Sequence, residues 1–513
     1  MRELLVVLGD QLDRASSLFS DGPSADRVVL FAEVAHEAVR LPNHVQRVVL
    51  FLSAMRHFAD ELRGGGWTVD YRSIRDTPPD ATLASVLDAA ILEHGPAKVR
   101  MTEPGEWDVE QALRGVCVAR NVPLEMIDDR HFFSSRAAFS EWARGKKQLR
   151  MEHFYRHMRR VHRILLDDDG APIGGEWNYD AANREAFGRG GPPPVPAPLV
   201  WDDAITRETI ADVRAELPGL AGAVGAWMWP VTPAQARAVL ERFVEHALVD
   251  FGRWQDAMWT GEATLFHSLL STSLNLKLLD PRDVIDAAVR AWEGGAAPIE
   301  AVEGFVRQVI GWREFIRGVY WLHMPGYADH NALEAHAPLP QMFWDGQTEM
   351  RCMREVVGQL LATGYAHHIQ RLMVAGLFSQ LLGVKPEEIQ RWFMGYFVDS
   401  VEWVTLPNVV GMSQFADGGI VGSKPYVATG KYVARQSNYC AGCAYDPGES
   451  TGERACPITT LYWAFLEQHE DRFRSHPRMA LQVKNLARRS VADRAAVRAR
   501  AEVVRQKAAD GTL

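Results

Sequence analysis

The sequence predicts a chain of two classes: an α/β unit on a Rossmann-like parallel sheet over residues 1–130, and a large all-α unit over 201–513. Three observations carry this. Short Val-, Ile- and Leu-rich runs alternate with helical periods near the N-terminus. Apolar residues recur at three- and four-residue spacing through the second half. Between the two stands the Gly/Pro tract GRGGPPPVPAP (188–198), which reads as a stiff linker within 131–200.

Taken in order, LLVVLG (4–9), VVLFAEV (28–34), WTVDYRSI (67–74), KVRMTE (98–103) and LEMID (124–128) are short, branched and bounded by turn residues, as strands are. The stretches 45–62, 83–95 and 109–121 between them carry helical spacing. Such alternation gives a doubly wound parallel sheet whose ligand crevice lies beyond the strands' carboxyl ends, near Gly9, Asp10 and Glu33 to Glu37. Gly64–Gly66 reads as a helix-ending turn. No GxGxxG follows a strand and no GxxxxGK[ST] occurs, which disfavours a nicotinamide dinucleotide or a P-loop nucleotide. Residues 130–200 have no strand pattern and run into a loop-like tract that ends in 188–198. Long helices are expected at 233–254, 298–321, 350–383 and 386–403, with a Gly-rich irregular segment at 411–450.

Composition sets outer limits. A chain with 47% hydrophobic residues and a net charge of −9 is neither disordered nor fibrous. No apolar run nears the ~18 residues of a membrane span, and the N-terminal stretch ends too soon, at Asp10, for a signal peptide. The expectation is a cytoplasmic protein without a membrane partner. Charge is uneven: residues 144–163 hold eight Lys or Arg, Lys146, Lys147 and Arg150 among them, against Glu152 alone. Interleaved with His153, Phe154, Tyr155 and His157, they favour contact with a polyanion over a merely solvated helix face. Residues 472–507, with eleven basic residues against two acids, fit either reading equally.

Five cysteines are too few for a disulfide scaffold. Cys440 and Cys443 form a CxxC, Cys456 follows after twelve residues, and Cys352 lies 88 positions before Cys440. Four thiolates suit zinc or an iron–sulfur cluster. The Cys456-Pro457 ending and the remote fourth ligand favour the cluster. Cys117, on an apolar helix face, reads as a small buried hydrophobe.

At this point the residues become recognisable. The segment 399–457, together with GYAHHIQRLMVAGLF (364–378), WREFIRG (312–318), LGDQL (8–12), SAMRHFADEL (53–62), VRMTEPGEW (99–107) and GKKQLRMEHFYRHMRR (145–160), closely resembles the bacterial iron–sulfur (6-4) photolyases and cryptochromes. The resemblance runs from about residue 4 to about 490. It implies the photolyase/cryptochrome architecture, with an antenna domain and a helical FAD-binding domain. It also implies FAD, a [4Fe-4S] cluster on Cys352, Cys440, Cys443 and Cys456, and a 6,7-dimethyl-8-ribityllumazine antenna near Asp10 and Glu37. The implied activity is light-driven repair of (6-4) photoproducts in UV-damaged DNA by a monomer. A blue-light sensor with the same cofactors and no repair is the alternative.

By matching positions, the resemblance implies flavin contacts at Ser268, Ser271 and Asn275 for the phosphates, and at Gln308, Trp312 and Arg313 on the next helix. It pairs Arg371 with Asp399 beside the flavin ring, and puts Thr405, where relatives carry Asn or Glu, opposite flavin N5, with Asn408 nearby. The doublet His367-His368 precedes Arg371. Adjacent residues of a helix point about 100° apart, so only one faces the pocket; the resemblance makes it His368, the proton donor, with His367 supporting. A second His of the animal enzymes is Leu372 here. Trp392 and Trp344 match electron-transfer positions, with Phe393 where a Tyr is common. Met412 and Tyr426 are candidates for contact with unpaired bases around a flipped lesion.

Overall fold

The computed structural model describes residues 2–513. Five strands, β1 (Glu3–Val6), β2 (Arg27–Ala32), β3 (Thr68–Arg72), β4 (Lys98–Thr102) and β5 (Leu124–Ile127), form one sheet in the order β3-β2-β1-β4-β5. Every pairing is parallel, with Leu4 opposite Val28 and Val99. Side chains alternate across a strand, so β1 divides its apolar residues between two cores. Leu4 and Val6 pack with Val28, Leu30, Val99 and Met101 beneath helices Leu83–His94 and Trp107–Ala119. Cys117 lies in this core, 1% exposed, as its sequence setting predicts. Leu5, Val29 and Phe31 turn the other way, against helix Val45–Gly64, and join a core continuous with the helical half.

Polar clamps hold these parts together. Arg56 donates twice to Glu33 (2.7 and 2.8 Å) and once to Asp212 (2.8 Å) on helix Ala204–Glu216. At the start of helix Val45–Gly64, the Gln46 amide donates to the carbonyls of Ala223 (2.6 Å) and Ala362 (2.9 Å) and accepts from the Trp229 indole (2.8 Å). The neighbouring His44 ring bonds the Leu361 carbonyl at 3.0 Å.

Within residues 130–200, which contribute no strand to the sheet, lie helices Arg136–Ala143 and Met151–His162. The second buries Phe154, Tyr155 and Met158, an apolar stripe at helical spacing that the density of charge hides in the sequence. The tract 188–198 is in neither helix nor strand.

In the second half each long expected helix is interrupted. The first breaks at Ala247, between Pro233–His246 and Leu248–Trp254. The second is Ile299–Val306 and Glu314–His323 joined by a π-helical stretch, Arg307–Arg313. The third stops at Thr363, where Gly364 turns left-handed (φ 66°) and closes on the Leu360 carbonyl. It resumes at His368, with a π-helical stretch over Arg371–Gly376. The fourth ends at Tyr396 and restarts at Glu402, leading into a third π-helical stretch, Asn408–Ser413. A one-residue bulge or a short break leaves apolar spacing nearly intact, so periodicity runs through it unmarked. Among the described residues no helix is long and apolar enough to cross a membrane.

Candidate active site

The segment 265–277 is locally strained. Leu265 (φ 45°), Leu269 (φ 56°) and Lys277 (φ 65°) adopt left-handed backbone that β-carbon-bearing residues avoid, and such strain concentrates at functional sites. The segment also holds buried polar atoms without partners: His267 Nε2, Thr272 Oγ1 and Ser273 Oγ. The serines expected to bind phosphate behave differently. Ser268 Oγ accepts from the Leu270 N–H at 3.4 Å, and Ser271 opens the five-residue helix Ser271–Asn275. The unsatisfied hydroxyls are the next two, which the sequence reading missed. Asn275 donates to the Asp399 carbonyl at 2.7 Å, tying the segment to the ion pair.

That pair is bidentate: Arg371 Nη1 and Nη2 meet the Asp399 carboxylate oxygens at 2.9 and 3.0 Å. Arg371 also donates to the Ala366 carbonyl (2.6 Å) and lies 4.3 Å over the Phe397 ring. A fork held at several points is fixed in orientation as well as charge.

The two histidines are not successive helical residues. His367 is the extended residue (φ −73°, ψ 164°) that precedes the helix, and His368 begins it, so the expected 100° divergence does not apply. His367 is 1% exposed and stacks on His267, with ring centroids 4.3 Å apart and planes at 16°. Neither of its ring nitrogens has a partner among the described residues. Burial and the neighbouring His267 hold its pKa well below the ordinary histidine value. Burial lowers His267 to about 3. His368 is reached by solvent, yet surrounding atoms and the Arg371 guanidinium lower it to about 4. A ring both accessible and crowded lines a recess. Both causes act in one direction, favouring the neutral ring.

The three residues expected on the next helix part company. Gln308 is exposed and donates to the Gly304 carbonyl (3.2 Å), while Trp312 is half-buried. Arg313 turns into the interior, onto His131 Nδ1 (3.1 Å), the Leu274 carbonyl (3.4 Å) and the Phe132 ring (4.0 Å). It therefore braces the end of the 265–277 segment. Thr405 is buried, and the Asn408 amide donates to the Val404 carbonyl at 2.8 Å. Met412 is 4% exposed, with the Gly422–Lys424 loop packed over its backbone, and Tyr426 follows on that loop. Arg184, itself paired with Asp180, and Arg478, from distant segments, lie near enough to act on both Lys424 and Tyr426.

Lys146, Lys147 and Arg150 are exposed, as a polyanion-binding face and a solvated one both require. Arg159, counted with them in the sequence, is 1% exposed and donates to the Ile164 (3.1 Å) and Trp177 (3.3 Å) carbonyls, so it is structural.

Beyond the strand ends, a cleft of about 150 Å³ is lined by Gly9, Asp10, Glu33, Glu37 and Phe51, with Met394 from the helical half. Burial raises the Asp10 and Glu106 carboxyls, and Glu402, facing Glu106, reaches about 8. Glu37 pairs with Arg40 at 2.9 Å.

Cys352, Cys440, Cys443 and Cys456 line one small cavity. Cys456 precedes helix Pro457–Gln468, and a β-carbon on Gly430 would stand 2.7 Å from its sulfur, so only glycine leaves that room. Among the described residues, no three of these sulfurs lie within 4.8 Å of one another.

Comparison with known proteins completes the description. Residues 5–229 match the family model described as deoxyribodipyrimidine photo-lyase-related protein. The chain is 41% identical over 513 residues to a (6-4) photolyase of Agrobacterium fabrum (strain C58 / ATCC 33970), across 99% of this chain and 100% of that protein. An uncharacterized protein of Acanthamoeba polyphaga mimivirus is 30% identical over 109 residues, 21% of this chain and 81% of that one. Among solved structures, a bacterial class III photolyase from Agrobacterium tumefaciens superposes with a TM-score of 0.55 at 16% identity, covering 85% of this chain and 86% of that one. An archaeal photolyase from Sulfolobus tokodaii gives 0.51 at 12% identity, covering 82% and 84%. At such identities these two show the fold: a parallel sheet followed by a large helical region.

Proposed function

The chain belongs to the bacterial (6-4) photolyase family, whose light-driven, FAD-dependent DNA repair it shares, and from that premise we propose how its own residues carry out repair of pyrimidine (6-4) photoproducts. The observation that carries the assignment of roles is the bidentate Arg371–Asp399 pair, with His368 one turn before Arg371 on an accessible wall.

FAD, when bound, supplies the light-absorbing redox centre. The unpartnered His267, Thr272 and Ser273 atoms fit a ligand rich in phosphate and hydroxyl oxygens, since buried donors left unpaired cost about 1–3 kcal/mol each. Ser268, Ser271 and Gln308 complete that wall, Asn275 and Arg313 brace it, and Arg371, Asp399, Trp312, Thr405 and Asn408 frame the ring site. His368 delivers a proton to the lesion oxygen. Burial first, and the Arg371 guanidinium second, hold its ring toward the neutral form, and a bound anionic group beside it would favour the charged form that donates. His367 supports it. Trp392 and Trp344 carry electrons, and Met412 and Tyr426 meet the unpaired bases. Lys146, Lys147 and Arg150, joined by Arg184 and Arg478, contact phosphates.

In the same reading the four thiolates hold a [4Fe-4S] cluster. Tetrahedral zinc with ~2.3 Å bonds brings sulfurs within about 3.8 Å of each other, closer than this set stands. The cleft beyond the strands takes the ribityllumazine antenna, with Asp10 and Glu37 on its wall. The division near residues 130 and 200 separates antenna, linker and flavin units, in a cytoplasmic monomer. Irradiating the reduced protein with an oligonucleotide bearing a (6-4) photoproduct tests the whole: restored pyrimidines are expected, and binding without repair under light would turn the assignment to a sensor.

A further inference from the structure

This inference rests on the reading of Trp392 and Trp344 as electron-transfer residues. Position 393, where a tyrosine is expected, is Phe393, whose ring stacks on Phe397 (5.1 Å, 17°) and is not readily oxidised. A phenol lies elsewhere. Tyr396 follows Trp392 by four residues on helix Pro386–Tyr396, so both occupy one face. Their rings stack at 6.0 Å and 25°, and Tyr396 meets Trp344 edge-on at 5.5 Å and 72°. Inward, Trp392 touches Phe397 at 5.5 Å, and Phe397 carries the Arg371 guanidinium at 4.3 Å. A file of rings thus leads from the ion pair through Phe397, Trp392 (0% exposed) and Tyr396 (4%) to half-buried Trp344. The Tyr396 hydroxyl makes no hydrogen bond to any described residue yet is not a buried orphan, so it meets solvent.

We propose that Tyr396 is the redox relay between Trp392 and Trp344, supplying the phenol that position 393 lacks. FAD, if bound beside the ion pair, would under light supply the one-electron oxidant, and Trp392 would be the residue that loses the electron and becomes an indole radical cation. Tyr396 then gives one electron to the oxidised indole while its O–H proton leaves to water, so the products are neutral Trp392, a neutral tyrosyl radical and one solvated proton. An electron from Trp344, or from an external thiol reductant, with a proton from water, restores the phenol. The competing route is visible: Trp392 Nε1 donates to the carbonyl of Phe343 (2.8 Å), the residue before Trp344, and a hole crossing that bond would bypass Tyr396.

The test is flash illumination of oxidised holoprotein, wild type against Tyr396→Phe and Trp392→Phe, read by electron paramagnetic resonance with ring-deuterated tyrosine and by transient absorption. Mass-spectrometric mapping of oxidised side chains gives a readout separate from turnover. The expected result is a tyrosyl signal in wild type that Tyr396→Phe removes, a shorter-lived radical in that variant, and a slowing in D₂O confined to wild type. An unchanged radical and lifetime in Tyr396→Phe, with Trp392→Phe abolishing both, would overturn the relay and leave the tryptophan reading standing. Unchanged radicals in Trp392→Phe would sink the tryptophan reading and the relay with it.

Discussion

The cleft beyond the sheet and the recess among the helices are both crowded with ionisable groups, yet they are finished to different degrees. At the cleft, Glu33 is fully engaged: it accepts from Arg56, from the Tyr71 hydroxyl (2.5 Å) and from the Ile74 N–H (2.9 Å). Glu37 has Arg40. In the recess, His267, Thr272, Ser273 and His367 all carry buried nitrogens or oxygens without partners. A wall that satisfies itself keeps its shape whatever enters. A wall of orphaned donors and acceptors gains most of its hydrogen bonding from what it binds.

The largest effect expected from this contrast comes from the cysteines, one on the sheet side and four among the helices. Cys352→Ser leaves three thiolates for a site built for four, so soluble yield and iron content should collapse together. Cys117→Ser, in the sheet core, should cost only about 1–3 kcal/mol of stability, the price of one buried hydroxyl. Elemental analysis of anaerobically prepared protein reads both, and stoichiometric zinc without iron would break the assignment.

His368→Ala should lower (6-4) repair by about 10² to 10⁴, the usual worth of general acid catalysis, while flavin content and lesion binding persist. Repair at the wild-type rate would move the proton source elsewhere. The acid limb of stability gives a smaller effect. The folded state holds His267 near 3 and His367 well below its ordinary value, whereas the unfolded chain protonates both near 6.5. Each contribution is intact above pH 6.5 and is lost as pH falls toward the folded pKa, at roughly 1.4 kcal/mol per pH unit for each histidine. His267→Phe keeps the ring and removes one titration, so denaturant midpoints measured from pH 7 to pH 4.5 should fall less steeply. Parallel slopes would mean that ligand or solvent already pairs that ring. Smallest is the surface effect: charge-neutral replacement of Lys146, Lys147 and Arg150 should weaken damaged and undamaged duplex alike and flatten the salt dependence by a slope of about 2–3. An unchanged slope would leave this face merely solvated.

The same contrast explains what could be read from the residues. The strands were legible to within a few residues, because each is a short apolar-rich run bounded by turn residues, the inner three largely buried, and the crevice at Gly9, Asp10 and Glu37 follows from strand direction. The four cysteines were legible from spacing. The helical recess was legible only through resemblance, and even then the orphaned hydroxyls are Thr272 and Ser273 beside the expected Ser271. His267 escaped notice because no pattern predicts its stacking on a residue a hundred positions away. The one available signal was a histidine directly before the phosphate-type serine. Gln308, Trp312, Arg313, Arg371, Asn408 and Met412 all sit in π-helical stretches, whose extra residue re-aims a side chain without disturbing apolar periodicity. Tyr396 carries no signal of its own in the sequence, since a file of rings exists only once helices are packed.

The Gln46 clamp has an optical consequence. Its amide joins the helix that floors the cleft to the carbonyls of Ala223 and Ala362, and Ala362 lies just ahead of the Gly364 turn that delivers His367 and His368. Together with the Arg56 clasp on Asp212, it makes cleft and recess turn as one body despite the Pro-rich tract between them in sequence. Two chromophores seated in such a frame would keep a constant separation and a constant angle between their transition dipoles, so excitation passed through space from one to the other would not depend on thermal hinge motion.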